Sequence, residues 1–398
     1  MAHPLTVDEA SARTLSAVRP LPAEDVPLPS AGGRYAATDI VAVSPLPRFP
    51  SSAMDGFAVR VHDLPGVLRV IERSAAGSPP SRSVDAGEAI GVTTGGVVPE
   101  GADAVVPFEL TTDAGETVEI TEAVAVGANV RPTGGDVASG AVVVASGRQL
   151  GAAQLAALAS TGVATVSCGR RPVVCIVTTG SELRPPGTPL GPGQIYESNG
   201  LMLERVLSGA GATVRRIDRV GDDPEEHREA LQQALEADMV VTSGGVSVGP
   251  LDLVRATLAE LGVEERFWGV AMRPGKPLAF GQRGRTLVFG LPGNPVSALV
   301  GAHLFVTPAV RALQGASAPG PAFFSVAAGD GFVRHPARED FPRATVEAVA
   351  GGLPVALPAH GQESHMIAST ASADAIVRIA TGEGPVPAGS VLPALRLD

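Results

Sequence analysis

The stretch Pro172-Val173-Val174-Cys175-Ile176-Val177, followed by Thr178-Thr179-Gly180-Ser181-Glu182, decides the fold of this chain. Its first six residues form a continuous apolar run, without the alternation that a half-exposed strand shows. Such a run is typical of a strand covered on both faces, as in a parallel sheet with helices on either side. The glycine turn that follows indicates where this strand ends.

Strands and helices continue to alternate as far as residue 316. Further apolar strands are predicted at 239–241 and 287–289, and a helix at 251–261. Other helices are predicted to begin at Asn199, at Asp223-Pro224 and at Asn294-Pro295, where a capping residue or an early proline favours a first turn. Alternation over about 145 residues favours a parallel α/β sheet.

The flanking sequence has a different character. Residues 44–133 contain short apolar runs between turns and no helical period, which predicts a small β domain. Residues 317–398 return to short runs punctuated by proline and predict a second β domain. Helices are predicted at 7–18 and 152–160. A chain of 398 residues is expected to form two to four domains.

Composition narrows the class of protein. Hydrophobic residues make up 44% of the chain and aromatic residues only 4%, so cores of Ala, Val and Leu are expected. The net charge of −11 and the lack of a basic run argue against nucleic-acid binding. With no apolar run near ~18 residues and no signal-like N-terminus, we expect a cytoplasmic protein without membrane association. Cys168 and Cys175 are expected to be core thiols in a reducing compartment.

Three loops follow predicted strands of the α/β region, at 178–182, 242–249 and 290–295. Ligands of open α/β sheets bind outside the carboxyl ends of the strands. Glycine-rich turns allow backbone N–H groups to approach a phosphate closely, and helix N-termini add a favourable dipole. Three such loops on one sheet indicate a phosphorylated ligand.

Acidic residues follow the same strand ends: Glu182, Asp222 and Asp252. Carboxylates beside a phosphate site would repel the ligand unless a cation intervenes, so a hard divalent ion such as Mg²⁺ is expected. Each acid also has a structural interpretation. Asp222 could share helix capping with Asp223, Glu182 could be a solvated turn residue, and Asp252 could be a first-turn acid of its helix.

The chain has 29 arginines and a single lysine, Lys276, within Arg273-Pro274-Gly275-Lys276-Pro277. A compact ammonium with three rotatable donors differs chemically from a planar guanidinium. In a stiff Pro/Gly segment it suits binding of a small oxyanion. A surface lysine retained by chance is the alternative. There is no P-loop, no Gly-x-Ser-x-Gly motif, no histidine pair at metal spacing and no Rossmann fingerprint.

Taken together, these segments resemble the molybdopterin molybdenumtransferase family, which includes the MoeA proteins and the E domain of gephyrin. The similarity covers nearly the whole chain in an ordered set of motifs. These motifs are 52–60, Thr94-Gly95, 98–105, 129–131, Gly135-Asp136, 179–183, 193–199, 243–249, 274–277, 290–297 and 362–366.

The resemblance implies an elongated subunit with four domains that forms a homodimer. Residues 1–43 and 134–170 would form a discontinuous N-terminal or linking domain, with the β domain 44–133 inserted into it. Residues 171–316 would form the molybdopterin-binding α/β domain, and 317–398 the C-terminal β domain.

The activity implied is insertion of molybdenum from molybdate into adenylylated molybdopterin, with release of AMP and with Mg²⁺ assistance. Glu182, Asp222 and Asp252 would be catalytic and metal-associated. Asp55, also catalytic, would join Thr94 and Asp136 in facing the α/β domain of the partner subunit. Gly134-Gly135 replaces a more acidic stretch of the family, which leaves Asp136 as the only acid there.

Substrate contacts are implied for Thr94 and Asp136 and for two further groups of residues. The oxyanion site would contain Arg273, where many relatives have lysine, together with Lys276, Arg338 and Ser364. The glycine-rich loops would contribute Ser243, Gly244, Gly245, Ser247, Pro292, Asn294 and Pro295.

A molybdopterin adenylyltransferase and molybdoenzymes or their chaperones would be transient partners. An adenylyltransferase-like enzyme and a scaffold of cofactor assembly are the alternative functions.

Overall fold

The computed structural model describes residues 4–221, 223–245 and 253–397. Its first 170 residues contain two α-helices and twelve strands within that described part. In chain order these are α1 (Val7–Ala17), β1 (Ala23–Pro27), β2 (Ile40–Val41), β3 (Ser51–Ser52), β4 (Gly56–Val59), β5 (Gly66–Ser74), β6 (Glu88–Val92), β7 (Ala104–Pro107), β8 (Thr112–Asp113), β9 (Thr117–Ile120), β10 (Val130–Arg131), β11 (Val142–Val144), α2 (Ala152–Ser160) and β12 (Thr165–Gly169).

Segments far apart in sequence pair to form the linking region. β1 pairs with β12 and β2 with β11, both antiparallel. Their apolar side chains, with Leu28, Leu150 and Leu158, bury a small core. Between them, residues 44–133 form a six-stranded sheet in the order β7-β4-β6-β5-β9-β8. The predicted inserted β domain is therefore confirmed as a fold, and the exact domain boundaries stay predictions.

The α/β region follows with nine strands and five α-helices in its described residues. In chain order these are β13 (Val173–Thr179), β14 (Leu183–Arg184), β15 (Ile195–Tyr196), α3 (Asn199–Gly209), β16 (Thr213–Val220), α4 (Pro224–Ala234), β17 (Met239–Ser243), α5 (Leu253–Glu260), β18 (Glu264–Trp268), β19 (Met272–Arg273), β20 (Ala279–Arg283), β21 (Thr286–Leu291), α6 (Pro295–Gly301) and α7 (Thr307–Leu313). A π-helical turn, Ala302–Val306, joins the last two helices.

The central sheet has the order β16-β13-β17-β21-β20-β18. Its first four strands are parallel, as predicted, and β20 and β18 add antiparallel to one edge. The short turn between Arg283 and Thr286 explains the antiparallel pair, since a parallel neighbour needs a long crossover. Val174 and Ile176 face one buried cluster while Cys175 and Val177 face another. Both faces of β13 are thus covered, which the unbroken apolar run predicted.

The helix Pro295–Leu313 is long and apolar enough to cross a membrane by length and composition alone. However, 83% of its tested window is buried inside the protein. Burial of this kind is expected of the central helix of an α/β domain, so the helix gives no reason to place the chain in a membrane.

The C-terminal region forms a closed barrel in the order β22-β25-β24-β26-β27. In chain order its elements are β22 (Phe324–Ala328), β23 (Glu339–Asp340), β24 (Arg343–Glu347), β25 (Val355–Pro358), α8 (Ile367–Thr370), β26 (Ala375–Val377) and β27 (Val391–Arg396). β23 leaves the barrel and pairs in parallel with β19 of the α/β region. The predicted C-terminal β domain is confirmed, and this short pair attaches it to the α/β sheet.

Helix α1 packs on the α/β region although its sequence precedes the linking region. Val7 and Ala10 lie in the same buried cluster as Phe267 and Val270. Just before the helix, Leu5 N–H donates to the carbonyl of Gly269 at 3.3 Å. The first turn is closed by a capping box between Thr6 and Glu9, which the sequence analysis had not identified.

Candidate functional site

The glycine-rich loops after β13, β17 and β21 meet at the carboxyl edge of the sheet. Gly244 N–H donates to the carbonyl of Leu291 at 3.1 Å. A methyl group added to Gly244 would lie 2.8 Å from the Thr179 hydroxyl, and one added to Gly293 would lie 3.7 Å from the Gly244 Cα. Gly244 also has a φ of +99°, which favours glycine. Only residues without bulky side chains allow these loops to approach this closely.

Asn199 joins two of these loops. It is the first residue of α3, and its amide nitrogen donates to the Ser243 hydroxyl at 2.9 Å and to the Gly293 carbonyl at 2.7 Å. The helix start is instead satisfied by Glu197, whose carboxylate accepts the Gly200 N–H at 2.6 Å. The sequence analysis predicted Asn199 as a helix cap, and that role was wrong. Its side chain fixes the spacing of the predicted substrate loops.

The carboxylate of Glu182 lies over Gly180 at the end of β13. A Cβ added to Gly180 would come within 2.5 Å of that carboxylate. The Glu182 side chain is exposed and accepts no hydrogen bond from the described residues. Three other predicted site residues, Asp222, Ser247 and Asp252, lie outside the described residues. The proposed cluster of acids is therefore represented here by Glu182 alone.

A cleft of about 750 Å³ opens between the α/β region and the C-terminal barrel. Six of the predicted substrate residues line it: Arg273, Lys276, Pro292, Asn294, Arg338 and Ser364. Asn294 connects the two walls, because its amide nitrogen donates to the Ser364 hydroxyl at 2.8 Å. The Val296 N–H also donates to the Ser364 carbonyl at 3.1 Å. Pro295 begins helix α6 behind this contact. The cleft thus brings together side chains that are up to 91 residues apart in sequence, from Arg273 to Ser364.

The cations of the cleft differ in how they are paired. Arg273 donates from Nε and Nη2 to the two carboxylate oxygens of Asp340, each at 2.7 Å. Arg338 Nη2 lies 3.2 Å from Nε2 of His335. Lys276 has no ion-pair or side-chain hydrogen-bond partner among the described residues. Of the three predicted oxyanion cations, Lys276 is therefore the one without a described side-chain partner, while Arg338 contacts a histidine nitrogen and only Arg273 is paired with a carboxylate.

Arg343 also lines the cleft, and the sequence analysis missed it. Arg343 is only 1% exposed, although its guanidinium is charged. It makes no ion pair within 4 Å in the described part of the chain. Burial lowers the pKa of its guanidinium, while the charge of Glu363 acts in the opposite direction. An arginine after Phe341-Pro342 in a β-like run gave no sign of burial, since long charged side chains usually reach solvent.

Counting Arg343, four cationic side chains line the cleft, against the two carboxylates of Asp340 and Glu363. The cleft therefore has a formal excess of two positive charges within a chain whose net charge is −11. A local positive field of this kind attracts small anions to a cleft.

The predicted residues of the inserted domain form a separate group. Thr94 donates to one oxygen of Asp55 from its backbone N–H at 2.6 Å and from its hydroxyl at 2.9 Å. These bonds, the backbone bond first, lower the pKa of the fully exposed Asp55 carboxyl. Asp136 belongs to the linking region, where its backbone N–H donates to the Leu46 carbonyl at 3.0 Å. None of the three lines the cleft of the same subunit.

Comparisons with known proteins agree with this arrangement. Three family models match in order along the chain. The MoeA N-terminal region (domain I and II) matches residues 5–162, a probable molybdopterin binding domain matches 175–312, and the MoeA C-terminal region (domain IV) matches 325–397.

Full-length relatives give the same result. A molybdopterin molybdenumtransferase of Haemophilus influenzae is 36% identical over 98% of this chain and 97% of its own length. Molybdopterin molybdenumtransferase 2 of Mycobacterium tuberculosis is also 36% identical, over 96% of each chain. A crystal structure of a molybdopterin biosynthesis MoeA protein from Pyrococcus horikoshii superposes with a TM-score of 0.85 at 27% identity, covering 99% of this chain and all of that one.

The relatives, the fold and the cleft together define a multidomain transferase built on an α/β sheet. The chain belongs to the molybdopterin molybdenumtransferase family. This membership places it in molybdenum cofactor biosynthesis, at the step of molybdenum insertion.

Proposed function

We propose that the cleft binds molybdate, and that the adjoining loops at the sheet edge bind adenylylated molybdopterin. The transfer would release AMP when molybdenum enters the pterin dithiolene. The observation that carries this proposal is the excess of two positive charges in the cleft, which matches the charge of a molybdate dianion. A cation ~4 Å from a unit negative charge contributes on the order of 4 kcal/mol at an effective dielectric near 20. Several such groups could offset dehydration of the anion.

The glycine-rich loops support the second half of the proposal. Gly244, Gly293 and Thr179 meet where ligands of α/β sheets usually bind. Backbone N–H groups in such turns can approach the phosphate of an adenylylated ligand. Asn199 holds Ser243 and Gly293 in place, so the phosphate site would be fixed before substrate arrives.

Mg²⁺ dependence is part of the same proposal. Glu182 is the described member of the predicted metal set, with Asp222 and Asp252 as the others. An exposed carboxylate that accepts no hydrogen bond from the described residues is a suitable oxygen ligand for a hard cation. When bound, Mg²⁺ would neutralise phosphate charge beside these acids. Glu182 itself would orient the ligand by holding that charge at the end of β13.

Each site would be completed by a second subunit. Asp55 and Thr94 are fixed to one another but lie outside the cleft of their own chain, which supports their facing a partner copy. Exposed valines on the linking region, Val43 at 66% and Val142 at 53%, offer apolar surface for such a homodimer. We expect twice the chain mass of 40.2 kDa by light scattering.

Mixing two inactive variants tests the shared site. A heterodimer of Asp55→Ala and Glu182→Ala subunits would contain one intact site if each site takes Asp55 from one chain and Glu182 from the other. After random exchange of equal amounts of the two variants, half of the dimers are heterodimers with one intact site of two, so activity should return to roughly a quarter of the unaltered level. If both residues served a site within one chain, every site would stay defective and the mixture would be inactive.

The reaction itself is tested by measuring AMP released from adenylylated molybdopterin by the pure protein. Release should require both molybdate and Mg²⁺. An adenylyltransferase-like activity would instead consume ATP, and a scaffold would release no AMP. The matches to MoeA regions at both ends of the chain favour the transferase over these alternatives. AMP release that is independent of molybdate would refute the proposal.

The cellular setting completes the proposal. We expect the enzyme to act in the cytoplasm, to receive adenylylated pterin from a molybdopterin adenylyltransferase, and to pass product to molybdoenzymes or their chaperones. Co-purification of the adenylyltransferase with this chain, lost when the pterin is absent, would test the transient partnership.

A further inference from the structure

The loop 361–365 contains backbone N–H groups without protein acceptors beside the cleft. Gln362, Glu363, Ser364 and His365 all line the cleft. Within the described ranges, none of their four N–H groups donates to an acceptor of the protein. Unsatisfied donors on a cleft wall are available to a ligand.

The carbonyl groups of the same loop are all occupied. The guanidinium of Arg343 donates to the carbonyls of Gly361, Gln362 and Glu363, at 3.0 Å for Gln362 and 3.4 Å for Glu363. The Ser364 carbonyl accepts the Val296 N–H at 3.1 Å. One buried cation therefore binds three successive carbonyls.

Peptide geometry then fixes where the N–H groups point. In a trans peptide the N–H of one residue is directed opposite to the C=O of the residue before it. The carbonyls of Gly361, Gln362 and Glu363 point at Arg343, so the N–H groups of Gln362, Glu363 and Ser364 point away from it. Because Arg343 is only 1% exposed, that direction leads out of the barrel interior.

We propose that the N–H groups of Gln362, Glu363 and Ser364 form a backbone nest for an oxygen of a tetrahedral oxyanion, and that Arg343 is a positioning residue. This inference rests on the proposed binding of molybdate in the cleft. Gly361, with a φ of +74° that favours glycine, turns the chain at the start of this loop, immediately before the three N–H groups. A side chain there would also strike Met366, whose Cε lies 2.5 Å from the position of an added Cβ.

Ser364 contributes a second donor at the same place. Its hydroxyl oxygen accepts from Asn294, which leaves the hydroxyl hydrogen free to donate. Lys276 would supply charge, while the nest supplies uncharged donors of fixed direction. Since the bonds from Arg343 to the carbonyls are charge-assisted, they also polarise the three peptide groups and strengthen their N–H donors.

A tungstate soak of crystals of the unaltered protein tests the nest directly, since tungstate is a tetrahedral dianion that scatters strongly. We expect a tungstate oxygen at about 3 Å from the backbone nitrogens of Glu363 and Ser364. Tungstate bound to Lys276 but with no oxygen within about 3.5 Å of these nitrogens would overturn the nest and leave the proposed function intact. Tungstate bound outside the cleft would overturn both.

Matched arginine variants test the positioning role of Arg343. Arg34 is the control, because it is also buried, bonds a backbone carbonyl (Gly169, 2.9 Å) and has an unpartnered Nε, but lies in the linking region. Arg343→Lys should raise the half-saturating molybdate concentration at least tenfold and leave that of the adenylylated pterin unchanged. Arg34→Lys should change neither. If Arg343→Lys lowers only the melting temperature, as the control does, Arg343 is a structural residue and the inference is wrong.

Discussion

Arg273 and Asp340 form a two-bonded ion pair across the junction between the α/β region and the C-terminal barrel. Their Cα atoms are partners in the parallel β19–β23 pair, and the backbone of Phe341 adds a 2.8 Å bond to the Arg273 carbonyl. The Asp340 side chain is 4% exposed and that of Arg273 is 54% exposed. The Arg273 side chain, which was predicted to bind the oxyanion, thus joins the α/β wall of the cleft to the barrel wall.

The pairing of Arg273 predicts that two neighbouring cations contribute unequally to molybdate binding. Lys276→Gln should raise the half-saturating molybdate concentration about tenfold or more, since an unopposed charge is lost. Arg273→Gln should raise it only about threefold or less, because Asp340 already offsets that charge. Instead it should lower the stability of the barrel junction by about 1–3 kcal/mol, as Asp340 stays buried without its partner.

Molybdate titrations of AMP release and urea unfolding measure these two effects. As a control, Arg228→Gln removes a more exposed ion pair with Glu260 and should leave both quantities nearly unchanged. A larger molybdate effect for Arg273 than for Lys276 would contradict the assignment.

Removal of the Glu182 carboxylate is expected to abolish cofactor formation with folding intact. The side chain is exposed, so Glu182→Ala should leave the unfolding transition unchanged within about 0.5 kcal/mol. AMP release should fall at least a hundredfold, the loss expected when a group that holds charge at the reacting phosphate is removed. Glu229→Ala, an exposed acid on α4, is the matched control. Normal turnover of the pure Glu182 variant would disprove its role.

Thr94→Val should raise the pKa of Asp55 towards its usual value. The variant keeps the backbone N–H bond and loses the hydroxyl bond, and both bonds hold the Asp55 pKa down. Hydrogen bonds that lower the pKa of a carboxyl in the folded state stabilise the protein at pH values above the ordinary carboxyl pKa of about 3.9. This stabilisation is lost as the pH falls through the lowered pKa. Titration of the Asp55 carboxyl by ¹³C NMR measures the shift, with Asp113, whose pKa is lowered by Arg73, as an unaffected reference.

Asn199→Ala should loosen the contact between the substrate loops. The variant loses two hydrogen bonds of its side chain, which is about 1–2 kcal/mol of unfolding free energy. The half-saturating concentration of adenylylated pterin should rise more than that of molybdate, because the loops lie at the sheet edge. Gln149→Ala, which removes an exposed side-chain bond to Gly33, is the control. Equal increases for both substrates would show that Asn199 acts on the whole fold instead.

Both cysteines should resist alkylation in the native protein at pH 8. Burial raises the pKa of Cys175 to about 11 and also raises that of Cys168, so little reactive thiolate forms. Iodoacetamide followed by mass spectrometry should find no label before unfolding and two labels after it. Rapid native labelling of either residue would show that its strand opens to solvent.

The sequence determined the elements that depend on local order. The apolar run of β13, the Asp223-Pro224 start of α4 and the helix at 152–160 are set by burial periodicity and capping, which act over a few residues. The same applies to the loops after the strands, since strand ends and glycine turns are visible in sequence. The ordered set of motifs also identified the family from the sequence alone.

Only the tertiary structure decided which of these residues act together. Asn199 bridges loops rather than capping its helix, Arg273 is paired with Asp340, and Arg343 is buried under a loop that begins 18 residues later. Each fact depends on contacts between segments distant in sequence, and on desolvation that follows from the completed fold. Charge and residue type can be read along a chain, but whether a charge is free, paired or buried is determined by what folds against it.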